Sequence, residues 1–289
     1  MAAEPLTIPG DLVTVQVPER SWRHDLRAVK IVWQRELIRF LRDRMRMVTS
    51  LLQPVLFLFV LGTGLSSLAS PRGVNLRTFM FPGVLALAVL FTALFSAASI
   101  VWDREFGFLR EMLVAPVRRG AIVLGKCLGG ATVATFQGLV MLCLAGLVGV
   151  PYSLGLVLTL VVELLLLAFA ITAFGVMAAA RIQTIQSFMA LNQLFLMPMF
   201  FLSGALFPLA GLPSWLRLLT RVDPLTYAVD PMRHAVFAHL GLGEAARRAL
   251  VPGVTWAGWT VPVPLEIVVV AAIGLAMLAV AVAEFRRAE

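Results

Sequence analysis

Long uncharged apolar runs alternate along this chain with short basic stretches. Met47 to Pro71 and Thr78 to Trp102 are free of Asp, Glu, Lys and Arg, and so are Cys127 to Val162 and Ile267 to Ala283. A run of roughly 18 or more such residues is long enough to cross a bilayer as a helix. The third run is too long for one span, and Gly149-Val150-Pro151-Tyr152-Ser153 breaks it into two. Arg181, Gln183 and Gln186 then mark a short turn before a further apolar stretch. The pattern predicts six spans, over 48–69, 79–101, 123–149, 154–179, 187–209 and 263–284. Pro54 lies early in the first, which a membrane helix tolerates where its neighbours satisfy the freed carbonyl.

The segments outside these runs have different periods. Residues 1–19, with Pro5, Pro9, Gly10 and Pro18, read as an extended tail. From Ser21, Trp22, Leu26, Val29, Trp33, Leu37 and Phe40 recur every three or four residues among Arg23, Arg27, Lys30, Arg35, Arg39, Arg42 and Arg44. That is a basic amphipathic helix suited to a membrane surface, or to the protein's own inner face. Between the fifth and sixth spans, Leu206 to Pro264 is rich in Pro, Gly and Trp. Two short helices are expected there, near 213–221 and 230–240, each started by a proline. Trp256 and Trp259 suit an outer interface. The expected organisation is a tail with an interfacial helix over 1–47 and a six-span unit over 48–289, an all-α polytopic membrane protein.

Composition agrees. Of 289 residues, 60% are hydrophobic and 14% charged, with a mean hydropathy of +0.91, beyond what a soluble domain of this size carries. The net charge of +8 does not indicate nucleic acid, because Arg and Lys cluster at span ends, where anionic lipid accounts for them. Seventeen of the 24 lie in segments that six spans place on one side, which predicts both termini in the cytoplasm. Met1 to Arg46 contains no signal-peptide core. Cys127 and Cys143 fall about 24 Å apart along one helix, so they cannot bridge each other. His24, His234 and His239 are too scattered for a metal site.

Val101 to Gly130 carries a charged block between two spans, with Arg104, Arg110, Arg118, Arg119 and Lys126 against Asp103, Glu105 and Glu111. Asp103 to Val114 reads as a short amphipathic helix with Phe106, Leu109 and Leu113 on one face, ended by Pro116. Phe106, Phe108, Leu109, Met112 and Leu113 are many large apolar groups for a cytosolic loop, and a covering partner is expected.

Glu105, Gly107, Glu111, Leu113, Ala115, Pro116, Val117, Arg119, Leu124, Gly125 and Lys126 together form a block that resembles the second cytoplasmic loop of ABC-2-type transporter permeases. Ser203, Gly204, Phe207, Pro208, Leu212, Pro213, Leu216, Pro224, Leu225, Tyr227 and Arg233 are similar to the outer-face re-entrant helices of drug-export members, the daunorubicin-resistance type. The resemblance implies a coupling helix that docks on a separate ATP-binding subunit, here through Arg104, Glu105, Phe106, Gly107, Leu109, Glu111 and Leu113. It also implies a second permease copy, most simply an identical one, and an amphipathic cargo such as a drug, lipid or glycan.

Other motifs weaken on inspection. Gly120 to Cys127 nearly matches a phosphate-binding loop, but Cys127 replaces the Ser or Thr that would hold Mg²⁺, and no strand precedes it. ATP and Mg²⁺ are therefore expected in a partner subunit, with no cofactor in this chain. Glu163 lies about nine residues into the fourth span, roughly 13 Å deep by helix rise, and an intramembrane carboxyl is a functional candidate. Gln137, Asn192 and Gln193 are further pathway candidates, with interhelical hydrogen bonding the plainer reading. Gly125 and Gly129 suit close helix packing, and Met197-Pro198-Met199-Phe200-Phe201 suits lipid contact. No Ser, Cys or His is arranged for nucleophilic catalysis.

The expected function is thus the permease subunit of an ATP-driven exporter in the bacterial cytoplasmic membrane, in contact with lipid and not with nucleic acid. An ATP-independent carrier would favour internal repeats and several ionisable groups at depth, where only Glu163 is evident. A lipid-modifying enzyme would need convergent acid, base or metal groups, which the sequence does not offer.

Overall fold

The computed structural model describes residues 22–64, 75–108, 112, 117–208, 212–241, 243–244, 247, 250–256 and 258–287. The expected N-terminal tail and most of the loop between the first two spans lie outside these residues.

Among the described residues the fold is helical apart from one two-residue hairpin. Helix α1 covers Trp22–Arg42. Helix α2 covers Arg44–Leu56 and runs on through a π-helical stretch, Phe57–Leu61, to Gly64. Then follow α3 (Leu76–Glu105), α4 (Arg119–Leu142), α5 (Leu154–Arg181) and α6 (Ile185–Leu202). Two short helices, α7 (Ser214–Val222) and α8 (Thr226–Ala238), precede the hairpin β1 (Thr255–Trp256) and β2 (Trp259–Thr260). Helix α9 (Val263–Arg287) closes the chain. Helices α2 to α6 and α9 are the six long and apolar enough to cross a membrane.

Helix α3 is the centre. It is apolar all round, as a helix enclosed by others must be, and almost every side chain from Phe79 to Val101 is buried. Helices α4 and α5 pack on it most heavily, and α9 packs on α5 from the other side. A β-carbon added at Gly83 would lie 2.4 Å from that of Ala205, so only glycine lets the turn after α6 rest directly on α3.

The two ends of the bundle differ. At the basic end, α1 lies against α4. A β-carbon at Gly125 would come within 2.8 Å of Val32 Cβ, and one at Gly129 within 2.7 Å of Glu36 Cβ. The small pair at i and i+4 thus receives α1. The contact divides the expected apolar face. Val32, Glu36 and Phe40 are buried, while Trp22 and Leu26 are exposed beside Ile31, Ile38 and Leu41. The start and end of the described chain meet at this end, where Arg119 reaches the Phe285 carbonyl (3.2 Å) and Arg181 pairs with Glu284 (2.6 Å).

At the hairpin end, α7 starts after Pro213 as expected. Helix α8 starts at Thr226, before Pro231, which lies inside it. Its start is set by Asp223, whose carboxylate accepts from the Leu225 amide (3.1 Å) and the Thr226 hydroxyl (3.1 Å). Arg233 is fully buried, donates to the Gly204 carbonyl (2.5 Å) and lies over the Phe79 ring (4.5 Å). Burial pushes its guanidinium down to about 10, partly offset by Asp230. The hairpin is stapled by Trp256, whose indole N–H donates to the Tyr227 hydroxyl (2.8 Å), which in turn donates to the Arg221 carbonyl (2.7 Å).

Candidate functional site

At the basic end a set of charges lies inside the bundle. Lys126 on α4 is 4% exposed, and its ammonium contacts Glu36 Oε1 of α1 (2.6 Å), Asp103 Oδ2 of α3 (2.5 Å) and Ser99 Oγ of α3 (3.0 Å). Asp103 also accepts from Arg35 (2.7 Å), with Arg39 at 3.7 Å. Arg35 reaches on to Met112 Sδ (3.2 Å), and Arg39 lies over the Trp102 ring (5.0 Å). Three donors on one ammonium match two carboxylates and a hydroxyl, so the buried charges are paired and hydrogen-bonded, as buried charges must be. The arrangement joins α1, α3, α4 and the loop residue Met112 into one unit.

The sequence placed Lys126 in the loop. It belongs to α4, inside the bundle. A continuous helix from Arg119 also leaves Gly120 to Cys127 no loop with which to cradle a phosphate. The loop itself begins later than expected. Helix α3 continues to Glu105, so Asp103, Arg104 and Glu105 are its last turn, and Gly107 (φ 82°) ends it in the left-handed region.

Arg104 turns inward and donates to the carbonyls of Ala179, Ala180 and Ile182, capping α5. The Glu105 carboxylate accepts from the Ile185 amide at the start of α6 (3.3 Å). These two residues fasten α3 to the α5–α6 turn. Phe106 and Phe108 point outward instead, 71% and 51% exposed. They border a shallow groove with Trp102 and with Arg35, Ile38, Arg39 and Arg42 of α1. Leu109, Glu111 and Leu113 lie outside the described residues.

This geometry, with six apolar helices and an exposed aromatic loop rooted in a buried charge network, can be set beside known proteins. The profile of the family described as ABC-2 type transporter matches residues 27–237. The chain belongs to the ABC-2 type transporter family. Among its relatives, the Nodulation protein J of Rhizobium leguminosarum bv. trifolii is 30% identical over 213 residues, covering 72% of this chain and 80% of that protein. The Nodulation protein J of Rhizobium meliloti strain 1021 is 30% identical over 232 residues, covering 76% and 88%. The Inner membrane transport permease YadH of Escherichia coli strain K12 is 25% identical over 220 residues, covering 75% and 84%. The chain is therefore a membrane permease subunit of an ABC transporter.

In this ABC-2 permease the expected pathway residues do not converge. Gln137 is buried and donates to Ser50 Oγ (2.7 Å) and the Met47 carbonyl (3.0 Å), which ties α4 to α2. Asn192 is buried in α6 and its amide nitrogen has no hydrogen-bond partner among the described residues, while the adjacent Gln193 is exposed. Glu163 is buried at the far end, against α8 and α9. Lys126, Asp103 and Glu266 are ionisable groups buried in the protein as well.

Glu36 escaped the sequence reading, and Lys126 was placed in the loop and not in a buried pair. Glu36 lies on the same stripe as Val32 and Phe40, a carboxylate amid apolar i±4 neighbours. Lys126 stands between Gly125 and Cys127 at the edge of an apolar run. Each is a charge on a face that has to be covered, and that is the signal that marks a buried pair.

Proposed function

We propose that this permease works as the membrane half of an exporter. Two copies would surround a pathway and move an amphipathic cargo, of drug, lipid or glycan type, out of the cytoplasm or the inner leaflet of a bacterial plasma membrane. A separate ATP-binding subunit, holding ATP and Mg²⁺, would dock on the loop after α3, with Glu105, Phe106, Leu109, Glu111 and Leu113 as its footing. The basic end with both termini would face the cytoplasm.

The observation that carries this reading is the pairing of Phe106 and Phe108 in the open with Lys126, Asp103 and Glu36 beneath them. A soluble partner that buries the aromatic rings gains the anchors that dominate most interfaces. Any push it exerts reaches α1, α3 and α4 together, because one ammonium binds all three. Packed bistable elements turn such a small shift into a larger helix movement. The excess of Lys and Arg at this end supports the cytoplasmic orientation. The exposed apolar residues of α6, among them Leu194 and Phe201, offer surface to lipid or to a second copy.

Co-purification with a candidate ATP-binding subunit tests the reading, followed by ATP hydrolysis in lipid vesicles. Stimulation of hydrolysis by an amphipathic compound, with its accumulation outside, is the expected result. Hydrolysis indifferent to every such compound contradicts export of amphipathic cargo.

A further inference from the structure

At the hairpin end, three carboxyl groups from three helices are buried near one another. They are Glu163 of α5, Asp230 of α8 and Glu266 of α9, respectively 5%, 3% and 0% exposed. Glu163 lines a small cavity with Pro231 and Ile267, the chain neighbours of Asp230 and Glu266, and the Glu266 carboxyl lies within electrostatic range of both other carboxyls. An ionised carboxylate only accepts hydrogen bonds, and a buried one left without donors or a counter-charge takes up a proton instead.

The surroundings do not supply enough donors or positive charge to replace that proton. Neither oxygen of Glu266 has a hydrogen-bond donor among the described residues, and the same is true of Glu163 Oε2 and Asp230 Oδ2. The Val254 amide approaches Glu266 without hydrogen-bonding geometry. On α8, His234 Nδ1 lies 3.3 Å from Asp230 Oδ2 and 3.0 Å from the Asp230 carbonyl. Arg233 is turned to Gly204 and the Phe79 ring. Tyr227 is engaged with Arg221 and Trp256, away from the carboxyls, though it feels Glu266 and Asp223. Helix α3 brings the Phe79 ring to α8. Three carboxyls therefore face one imidazole in contact and, at longer range, one guanidinium, that of Arg233, which is within electrostatic reach of Asp230. The described residues hold no group of His, Cys, Asp and Glu set to bind a metal ion.

We propose that Glu163 and Glu266, set against Asp230, form a proton-binding site, and that its protons hold helix α8 against α5 and α9. With the protons in place, carboxyl bonds carboxyl across the α8–α9 contact. Without them, two or three like charges oppose one another in a medium of low dielectric, and α8 is driven off. His234, with 36% of its side chain exposed, gives the site a route to water. Acidification on the hairpin side tightens α8, and alkalinisation releases it.

The full chain in lipid nanodiscs permits a direct test. Infrared difference spectra across a pH titration report the C=O stretch of buried, protonated carboxyl groups. A band present at neutral pH in the wild type, lost in Glu266→Gln and weakened in Glu163→Gln, is the expected result. Hydrogen exchange of Thr226 to Ala238, corrected for the intrinsic effect of pH, should accelerate as that band disappears and stay flat in Glu266→Gln. The wild-type titration needs no variant, so a misfolded one does not obscure the answer. Absence of the band at neutral pH overturns the site. An unchanged band in both variants, or a band that titrates with no change in α8, overturns it equally. The readout uses neither transport nor ATP hydrolysis, so its failure leaves the export reading untouched.

Discussion

Lys126 and Asp103 face each other at 2.5 Å, each side chain 3% exposed, although they come from different helices and flank the most charged loop of the chain. Removing one partner of a buried pair leaves an uncompensated charge, which typically costs about 3–5 kcal/mol. Lys126→Ala is accordingly expected to destabilise the protein by about that much, through Glu36 and Asp103 left without their shared cation. Lys126→Met combined with Glu36→Gln should recover part of the loss. Denaturant unfolding in mixed micelles measures both. A single-variant cost well below about 1 kcal/mol would place the pair in water instead.

The seat of α1 on α4 makes a second expectation. Valine at Gly129 adds three carbons where Glu36 Cβ already stands 2.7 Å from the position of a β-carbon. Overpacking of this kind commonly costs about 1–3 kcal/mol. Because α1 is held mainly through this face, it should lift away while the spans stay intact. Limited trypsin digestion is expected to cut faster among Arg23, Arg27, Arg35 and Arg39 in Gly129→Val, with α3 to α5 still protected. Equal cutting in both proteins would remove Gly129 as the seat.

Asp223 predicts a pH dependence. Burial raises its carboxyl from an ordinary 3.8 to about 7, against the lowering effect of its hydrogen bonds from Leu225 and Thr226. Between about pH 4 and pH 7 the folded state therefore binds more protons than the unfolded state, and this group's contribution to stability falls as pH rises. Asp223→Asn keeps an acceptor for the Leu225 amide and cannot ionise. Its melting temperature should exceed the wild type's near pH 8 and show a shallower decline from pH 5 to pH 7. Parallel curves for the two proteins would contradict the assignment.

How much of this the sequence disclosed follows from the physics of each feature. The spans were legible because hydrocarbon demands some 20 apolar residues in a row, and Leu154 to Arg181 or Val263 to Arg287 allow no other reading. Their ends were less so. Arg104 caps α5 through long-range bonds to Ala179, Ala180 and Ile182, and no local signal announces that α3 continues past Trp102. Periodicity revealed that α1 is amphipathic but not which side is covered, because Trp22 and Leu26 look as buriable as Val32 and Phe40. The glycines of α4 settle that, and they lie some 90 residues away. Gln137 bonds Ser50 and the Met47 carbonyl of α2, partners that no local pattern around it announces. Glu266 stands in the first turn of the last span, where an acid is ordinary, so nothing local marks it as fully buried. The hairpin of Trp256 and Trp259 is too short to leave a period in the sequence.

The central claim is that a partner works the spans through the loop after α3. Burying an aromatic anchor at the centre of an interface is commonly worth about 2 kcal/mol or more, roughly thirtyfold in affinity. Phe106→Ala and Glu105→Arg should therefore weaken capture of the ATP-binding subunit and uncouple its hydrolysis from transport, and Leu109→Ala and Glu111→Arg should act in the same way. Phe106 makes no contribution to the bundle core, so Phe106→Ala should melt at the wild-type temperature. The most direct measurement is co-purification of the ATP-binding subunit with Phe106→Ala and Glu105→Arg permeases in lipid, alongside transport into vesicles. Loss of capture and of coupled transport in both variants, with Phe106→Ala melting at the wild-type temperature, is the predicted result. Wild-type capture and transport in both variants would contradict the account.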